Sequence, residues 1–297
     1  MEVQNLNQET KNKFQEEFAV FILTHGRPDR VVTFKTLREC GYTGRIVIVI
    51  DNEDKTADQY FNTFGKENVF VFDKKAVAET FDEFDNFEDR RAIIYARNAS
   101  FLIAEELGIK YFIQFDDDYV KFDFRINGEM NYPKGFFKVR SSFDQLFFHL
   151  LEYYKKTPFV SIAMSQGGDW FGGGTNFNAP PKRKAMNSFI CSTERKFQFI
   201  GRINEDVNTY TAVQGAGSPF MTIPFVSLTQ KQTQSNKGGM TDIYLDSGTY
   251  IKSFYTIICS PNCTQINLMG SANRRLHHSI SWENACPVII DEKWKKR

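Results

Sequence analysis

Four short apolar runs, Phe18 to Leu23, Ile46 to Ile50, Val69 to Phe72 and Tyr111 to Phe115, are separated by stretches of helical periodicity. The helical pattern falls on Arg30 to Glu39, Ala57 to Phe64 and Phe87 to Leu107. In the last of these, Ile93, Ile94, Ala96, Phe101, Leu102, Ala104 and Leu107 form an apolar stripe, and Gly108 supplies a stop. Strands that alternate with helices connect by crossovers, so the chain up to Phe115 predicts a parallel, Rossmann-like sheet. No G-x-G-x-x-G follows the first run, which sets aside the dinucleotide-binding fingerprint.

The second half is patterned differently. Asn127-Gly128 and Pro133 mark Phe122 to Val139 as a hairpin excursion. Phe143 to Tyr154 predicts a short amphipathic helix, and Pro158 to Met164 a further strand. Gly167 to Gly174 packs five glycines around Asp169, Trp170 and Phe171, a density that suits a loop with close backbone approach. Ser227 to Met240 is polar and reads as a loop. No repeat or interdomain linker interrupts the chain, so one α/β domain with a mixed sheet and inserted loops is expected. With 41% apolar residues and 30 phenylalanines among 297 residues, the core should be well filled.

A net charge of +1 excludes a global basic field, so any nucleic-acid contact must come from local patches. No apolar stretch approaches the roughly 20 residues of a membrane span, and Met1 to Lys13 lacks the apolar core of a signal peptide. The five cysteines are scattered and predict free thiols; Cys259 and Cys263 lie close, but no second pair follows at zinc spacing.

Asp116-Asp117-Asp118 directly follow the fourth apolar run. Open α/β sheets bind ligands at the carboxyl ends of their strands, and three carboxylates there need a cation or a donor network to offset them. Carboxylate and phosphate oxygens together complete an octahedral shell around Mg or Mn. Other strand ends carry compatible groups. Thr24-His25-Gly26-Arg27-Pro28 follows the first run, with exposed amides that suit a nucleotide and Arg27 for a base edge or phosphate. Asp51 ends the second, where a carboxylate can accept the imide hydrogen of uracil, and Lys74 follows the third. Arg97 and Asn98 lie on the helix before the triplet. Gly201 to Asp206 predicts an N-cap and an acidic first helical turn, with Glu205 or Asp206 able to deprotonate an acceptor hydroxyl. His277-His278 can complete the shell begun by Asp118, and Arg274-Arg275 can hold diphosphate. This is the layout of a metal-dependent glycosyltransferase of the GT-A type.

Six segments together resemble the TET-associated glycosyltransferases, a bacteriophage family associated with glycosylation of hydroxymethylated pyrimidines in DNA. They are Phe21 to Pro28, Tyr95 to Asn98, Gln114 to Tyr119, Gly201 to Asp206, Gly238 to Thr241 and Arg275 to His278. The likeness implies a GT-A-like, Rossmann-type mixed sheet flanked by helices over residues 18–290. Residues 18–120 would form the nucleotide-sugar half and 121–290 the acceptor half, between a polar segment 1–17 and a basic tail 291–297. It also implies Mn or Mg, and a UDP-sugar donor such as UDP-glucose or UDP-arabinose. Asp116 and Asp117 would serve the nucleotide sugar, Asp51 the base, Asp118 with His277 or His278 the metal, and Glu205 or Asp206 the catalytic step.

The acceptor would be 5-hydroxymethylcytosine in double-stranded DNA, in the cytoplasm of the infected bacterium. Trp170 and Phe171, with Gly173 beside them, are candidates to stack on a base, and Lys182, Arg183 and Lys237 to meet phosphates. Two other classes compete: a GT-A enzyme with a glycan, lipid or protein acceptor, and an inactive GT-A-fold binding module. Release of pyrophosphate or phosphate instead of UDP would mark a nucleotidyltransferase or phosphohydrolase.

Overall fold

The computed structural model describes residues 6–86, 90–125, 137–139, 142–166, 184–230, 248, 250–269, 274–286, 289 and 291–295. Every residue of strand β1 (Phe18–Leu23) is buried, and its alternate side chains feed two separate cores. Phe18, Val20 and Ile22 join one core, Ala19, Phe21 and Leu23 the other. A strand sealed on both faces must be central, which is where β1 lies. Among the described residues nine strands form one sheet, in the order β3-β2-β1-β4-β8-β7-β9-β5-β6. Their ranges are β2 (Arg45–Asp51), β3 (Val69–Phe72), β4 (Tyr111–Asp116), β5 (Tyr119–Phe124), β6 (Phe137–Lys138), β7 (Ser161–Ser165), β8 (Ser188–Ser192) and β9 (Phe220–Gln230). The first four strands are mutually parallel. Next, β8 runs antiparallel to β4 and β7, β7 pairs in parallel with β9, and β5 is antiparallel to β9 and β6. The sheet is therefore mixed.

Helices cover both faces. They are α1 (Gln8–Glu17), α2 (Val32–Glu39), α3 (Ala57–Phe64), α4 (Lys74–Ala78), α5 (Ile94–Glu106), α6 (Phe143–Lys156), α7 (Glu205–Gly215), α8 (Ile251–Cys259) and α9 (Trp282–Ala285). Helices α3 and α6 contribute Tyr60, Phe143, Phe147, Leu150 and Tyr154 to the first core. Helices α5 and α7 contribute Ile94, Tyr95, Ile103, Val207 and Tyr210 to the second. A separate antiparallel ribbon, β10 (Thr264–Met269) with β11 (Arg275–Ile280), packs beside α8. None of the described helices is long and apolar enough to cross a membrane, and none of the five cysteines is joined in a disulfide.

Three expectations are adjusted. The helix expected from Phe87 starts at Ile94, after Arg90 has turned aside to pair with Glu53 at 2.6 Å. The helix expected from Arg30 is a 3-10 turn over Pro28–Arg30, followed by α2 from Val32. The polar residues before Phe18 form α1, whose Phe14 stacks on Phe18 at 5.0 Å and meets Phe148 edge-on at 6.1 Å. The hairpin excursion appears as β5 against β6, with Asp123 opposite Lys138; residues 126–136 lie outside the described residues.

Register sets the functional edge. Leu23 is level with Val49 on one side and with Asp116 on the other, and Asp51 is level with Phe72. Thr24, Asp51, Asp73 and Asp116 therefore emerge together at the carboxyl edge of the parallel strands. The aromatic packing beneath is anchored by Phe147, fully buried against Phe18, Tyr42, Phe115 and Phe143. Phe147→Ala is expected to destabilise the fold by ~3–5 kcal/mol in urea unfolding, since four rings cannot collapse into the void.

Candidate functional site

The loop after β1 is built around shared acceptors. Gly26 has φ +68, a conformation that places its N–H 2.6 Å from Asp54 Oδ2. His25 Nδ1 lies 2.7 Å from Asp51 Oδ2, and the Lys74 ammonium donates to the same oxygen at 3.3 Å. The Glu53 N–H donates to Asp51 Oδ1 at 3.1 Å. Burial raises the Asp51 pKa, but the His25 bond and the Lys74 charge outweigh it, so the carboxylate sits below its usual range. Asp51 and Lys74 are buried, while His25 keeps half of its side chain open at 51%. Three strand ends thus meet on one carboxylate, with an imidazole at the opening.

The aspartate turn is closed from α2. Thr33 donates its hydroxyl to the Asp116 carbonyl at 2.6 Å, accepts the Tyr119 N–H at 2.8 Å, and gives its own N–H to the Asp117 carbonyl at 3.1 Å. The three carboxylates then part company. Asp117 turns inward and takes the Thr24 hydroxyl and the Arg27 Nε on one oxygen, each at 2.6 Å. Asp116 points to Arg97, and Asp118 remains half-buried on the turn.

Arg97 is almost fully buried, at 1% exposure, yet it carries a charge between two segments of the site. Its Nη2 donates to Asp116 Oδ1 and its Nε to Glu205 Oε1, both at 3.0 Å. The guanidinium also lies 4.8 Å over the Phe189 ring, and the Arg97 carbonyl accepts from Gln114 Nε2 at 2.9 Å. Burial works against its charge, and Asp116 and Glu205 more than offset that, raising its pKa. Asp116 is pushed upward by burial, which Arg97 opposes, and further by repulsion from Asp118, Glu205 and Asp117. Its side chain retains 21% exposure, so solvent moderates the rise.

Asp206 follows Glu205 in the first turn of α7. It is buried apart from 8% of its surface, and its Oδ1 accepts the Val207 N–H at 2.7 Å. Burial and then Glu205 push its pKa up to about 6, against the pull of Arg97 and Lys252. Lys252 stands on α8, where burial and Arg275 lower its pKa. His277 and His278 stand on β11 within reach of the same lysine charge. Burial pushes His278 down to about 3, helped by His277 and Lys252, and burial also lowers His277. His277 Nδ1 is 2.7 Å from the His278 carbonyl. The pair is therefore neutral near pH 7, as a metal-binding imidazole must be.

Asn98, Asp117 and Asn204 each find partners within the fold. Asn98, expected to meet the nucleotide, spends both ends of its amide on Phe199, donating to its carbonyl at 3.0 Å and accepting its N–H at 2.8 Å. Asp117 is 2% exposed and serves the β1 loop, whereas Asp116 and Asp118 are half-buried. Asn204 begins α7 in the left-handed region, φ +62, but its side chain goes to Thr256 instead of capping. Trp170, Phe171, Gly173, Lys182, Arg183 and Lys237 lie outside the described residues. Among the described residues no group of three or more His, Cys, Asp or Glu side chains gathers as a metal-ligand set. Asp54, Tyr60 and Lys252 were not anticipated. Only Asp54 left a trace in the sequence, its two-residue spacing to Thr56, whose N–H and hydroxyl it accepts.

A mixed sheet flanked by helices on both faces, with its acidic and cationic groups gathered at one edge, defines a GT-A-like transferase architecture. A family model described as TET-Associated Glycosyltransferase matches residues 18–239, and the chain belongs to that family of glycosyltransferases. No curated protein matches the chain. Among solved structures, glucosyl-3-phosphoglycerate synthase from Mycobacterium tuberculosis, with Mg2+ and UDP, is similar at 8% identity and TM-score 0.42, covering 92% of this chain and 90% of the other. A putative nucleotide-diphospho-sugar transferase from Desulfovibrio desulfuricans G20 is similar at 8% identity and TM-score 0.40, covering 80% and 98%. S. aureus TarS residues 1–349 is similar at 11% identity and TM-score 0.40, covering 82% and 66%. At these scores the superpositions transfer no residue's role.

Replacing Arg97 by Met would leave Asp116 and Glu205 facing each other without their shared cation. A loss of ~3–5 kcal/mol is expected in urea unfolding at pH 7. Arg97→Lys should recover only part of it, because one ammonium cannot reproduce the two-armed bridge. Wild-type stability in Arg97→Met would show that the bridge does not hold the site.

Proposed function

We propose that this glycosyltransferase moves a sugar from a UDP-sugar to the hydroxymethyl oxygen of 5-hydroxymethylcytosine in double-stranded phage DNA, within the infected bacterial cytoplasm. The observation that carries the transfer reading is the division of labour among the carboxylates. Arg97 engages Glu205 Oε1, which leaves Asp206, with a pKa of about 6, as the general base. The acceptor class rests on the family's association with hydroxymethylated pyrimidines. The 5-substituent of cytosine projects into the major groove, where an enzyme can reach it.

Roles follow from position. His25, Asp51 and Lys74 stand where a base would enter at the ends of β1, β2 and β3, with Asp51 offering an acceptor to a uracil imide. Asp116 would take the ribose. A divalent cation fits the charge of the site: five carboxyl groups, Asp116, Asp117, Asp118, Glu205 and Asp206, stand against four cationic side chains, Arg27, Arg97, Lys252 and Arg275. Mg typically binds through one or two carboxylates plus substrate phosphates. Asp118, with His277 or His278, would hold the Mg or Mn, which when bound neutralises the leaving diphosphate. Lys252 and Arg275 add cationic charge beside Asp206.

The test is UDP release in Mn with a panel of UDP-sugars and DNA bearing cytosine or hydroxymethylcytosine, followed by mass spectrometry of the nucleosides. A sugar mass only on hydroxymethylcytosine is expected. UDP release with no DNA adduct would redirect the acceptor to a glycan, lipid or protein.

Asp206→Asn should cut the single-turnover rate far more than donor affinity. In the wild type that rate should fall about tenfold per pH unit below about 6, where a carboxyl with a raised pKa is protonated and cannot accept a proton, and level off above. A flat profile would remove Asp206 from the role. Asp118→Ala should abolish Mn-dependent binding of the UDP-sugar in calorimetry, and an unchanged affinity would refute its place at the metal.

A further inference from the structure

The segment that delivers Asp206 is held by a loop remote from it in sequence. The Gly201 and Arg202 N–H groups donate to the Asp82 and Glu83 carbonyls, each at 2.9 Å. The Arg202 Nε and Nη2 both reach Asp85 Oδ2 at 2.9 Å, and the Tyr255 hydroxyl of α8 donates to that same oxygen. Arg202 and Asp85 are 2% and 7% exposed, so the pair is shielded from solvent screening. Gly201 has φ +75, and a Cβ there would stand 2.4 Å from Asn208 Nδ2 and 2.8 Å from Phe84 Cδ2. The loop and the start of α7 therefore touch with no room for a side chain between them. From the other side Asn204 donates to the Thr256 hydroxyl at 2.6 Å, and Asn208 donates to the Ile203 carbonyl at 3.0 Å. Tyr255 and Thr256 lie on the buried face of α8, along with Ser253. Glu83 also accepts the Tyr95 hydroxyl at 2.9 Å, two residues before Arg97 on α5.

We infer that Asp85 is a positioning residue: through Arg202 and Tyr255 it fixes residues 201–206 against α8 and α5, and thereby aims the Asp206 carboxylate. The inference rests on the reading of Asp206 as the general base. A buried ion pair is an expensive way to hold a loop, and apolar packing would serve stability as well. What the pair adds is direction, because a guanidinium and a phenol meeting on one oxygen admit few other arrangements. Side chains that act on a catalytic group through a partner typically matter by orienting it, and a displacement of about 1 Å can cost about 10²-fold in rate. The contacts also tie the carboxylate to the nucleotide half, since loop 82–85 follows α4, whose first residue is Lys74.

The test uses the full chain, saturating UDP-sugar, and hydroxymethylcytosine DNA, or water where donor hydrolysis is followed. Asp85→Asn preserves the shape and removes the charge; Tyr255→Phe removes one donor and leaves the ion pair. The expected result is a kcat lowered about 10²-fold in Asp85→Asn and about tenfold in Tyr255→Phe, with calorimetric UDP affinity within about twofold of wild type. On an Asp206→Asn background, Asp85→Asn should lower kcat by no more than about twofold further, because a positioning residue has nothing left to aim. An equal loss on both backgrounds, or a parallel loss of UDP affinity, would overturn the inference in favour of a purely structural pair. If Asp85→Asn does not fold, Tyr255→Phe with wild-type kcat has the same force. Full turnover in Asp206→Asn alone would sink the reading of Asp206, whereas an Asp206-dependent enzyme indifferent to Asp85→Asn would sink only the clamp.

Discussion

The site depends on one buried guanidinium. Arg97 comes from the helix that precedes β4, yet it reaches both the aspartate that ends that strand and the first residue of α7. Without it, Asp116 and Glu205 would repel each other across a poorly solvated gap. With it, two segments more than 80 residues apart in the chain are held at hydrogen-bond distance. The other carboxyl groups around it, Asp117, Asp118 and Asp206, are those that the proposed divalent cation would help to balance. The aromatic rings of Phe189 and Phe199, at 4.8 and 5.8 Å, shelter the cation from water on the side away from the carboxylates.

Around this bridge the chain assigns neighbouring residues opposite duties. Asp117 secures the β1 loop while Asp116 pairs with Arg97; Glu205 is engaged by Arg97 while Asp206 accepts the Val207 N–H. Such pairs are set by local backbone direction. Asp116 continues the pleat of β4 opposite Leu23, and the turn sealed by Thr33 then inverts the next residue. The first turn of α7 similarly points adjacent residues about 100° apart. Identical carboxylates one position apart thus acquire distinct environments, which is how one edge can offer both a charge-holding group and a proton acceptor.

Much of the architecture was legible because the inner parallel strands β1, β2 and β4 are sealed on both faces over most of their length. An unbroken apolar run such as Phe18 to Leu23 or Val69 to Phe72 has little choice of structure, and both match the observed strands residue for residue. The edge position of the triplet followed from the same rule. Less legible were helix starts whose first residues are diverted by tertiary partners, as Arg90 is by Glu53 and Thr33 by the aspartate turn. Asn98 read as a ligand group because its amide is indistinguishable in sequence from one that faces solvent; only the fold shows Phe199 occupying both ends. Arg97 left a clearer trace, a charge between Ile94 and Phe101 on a buried helical face. Lys252 and Tyr255 became visible as neighbours of the site only once the fold brought α8 beside the start of α7.

The convergence of His25, Lys74 and the Glu53 amide on Asp51 bears on how a ligand is met. Three strand ends have already spent their conformational freedom on that carboxylate during folding. On the proposed reading of this edge as the base site, an incoming base would find walls in place, so little ordering would be left to subtract from its binding energy. Such a receptor would discriminate by mismatch, because its hydrogen-bonding groups are held in position by the folded sheet edge before any ring arrives.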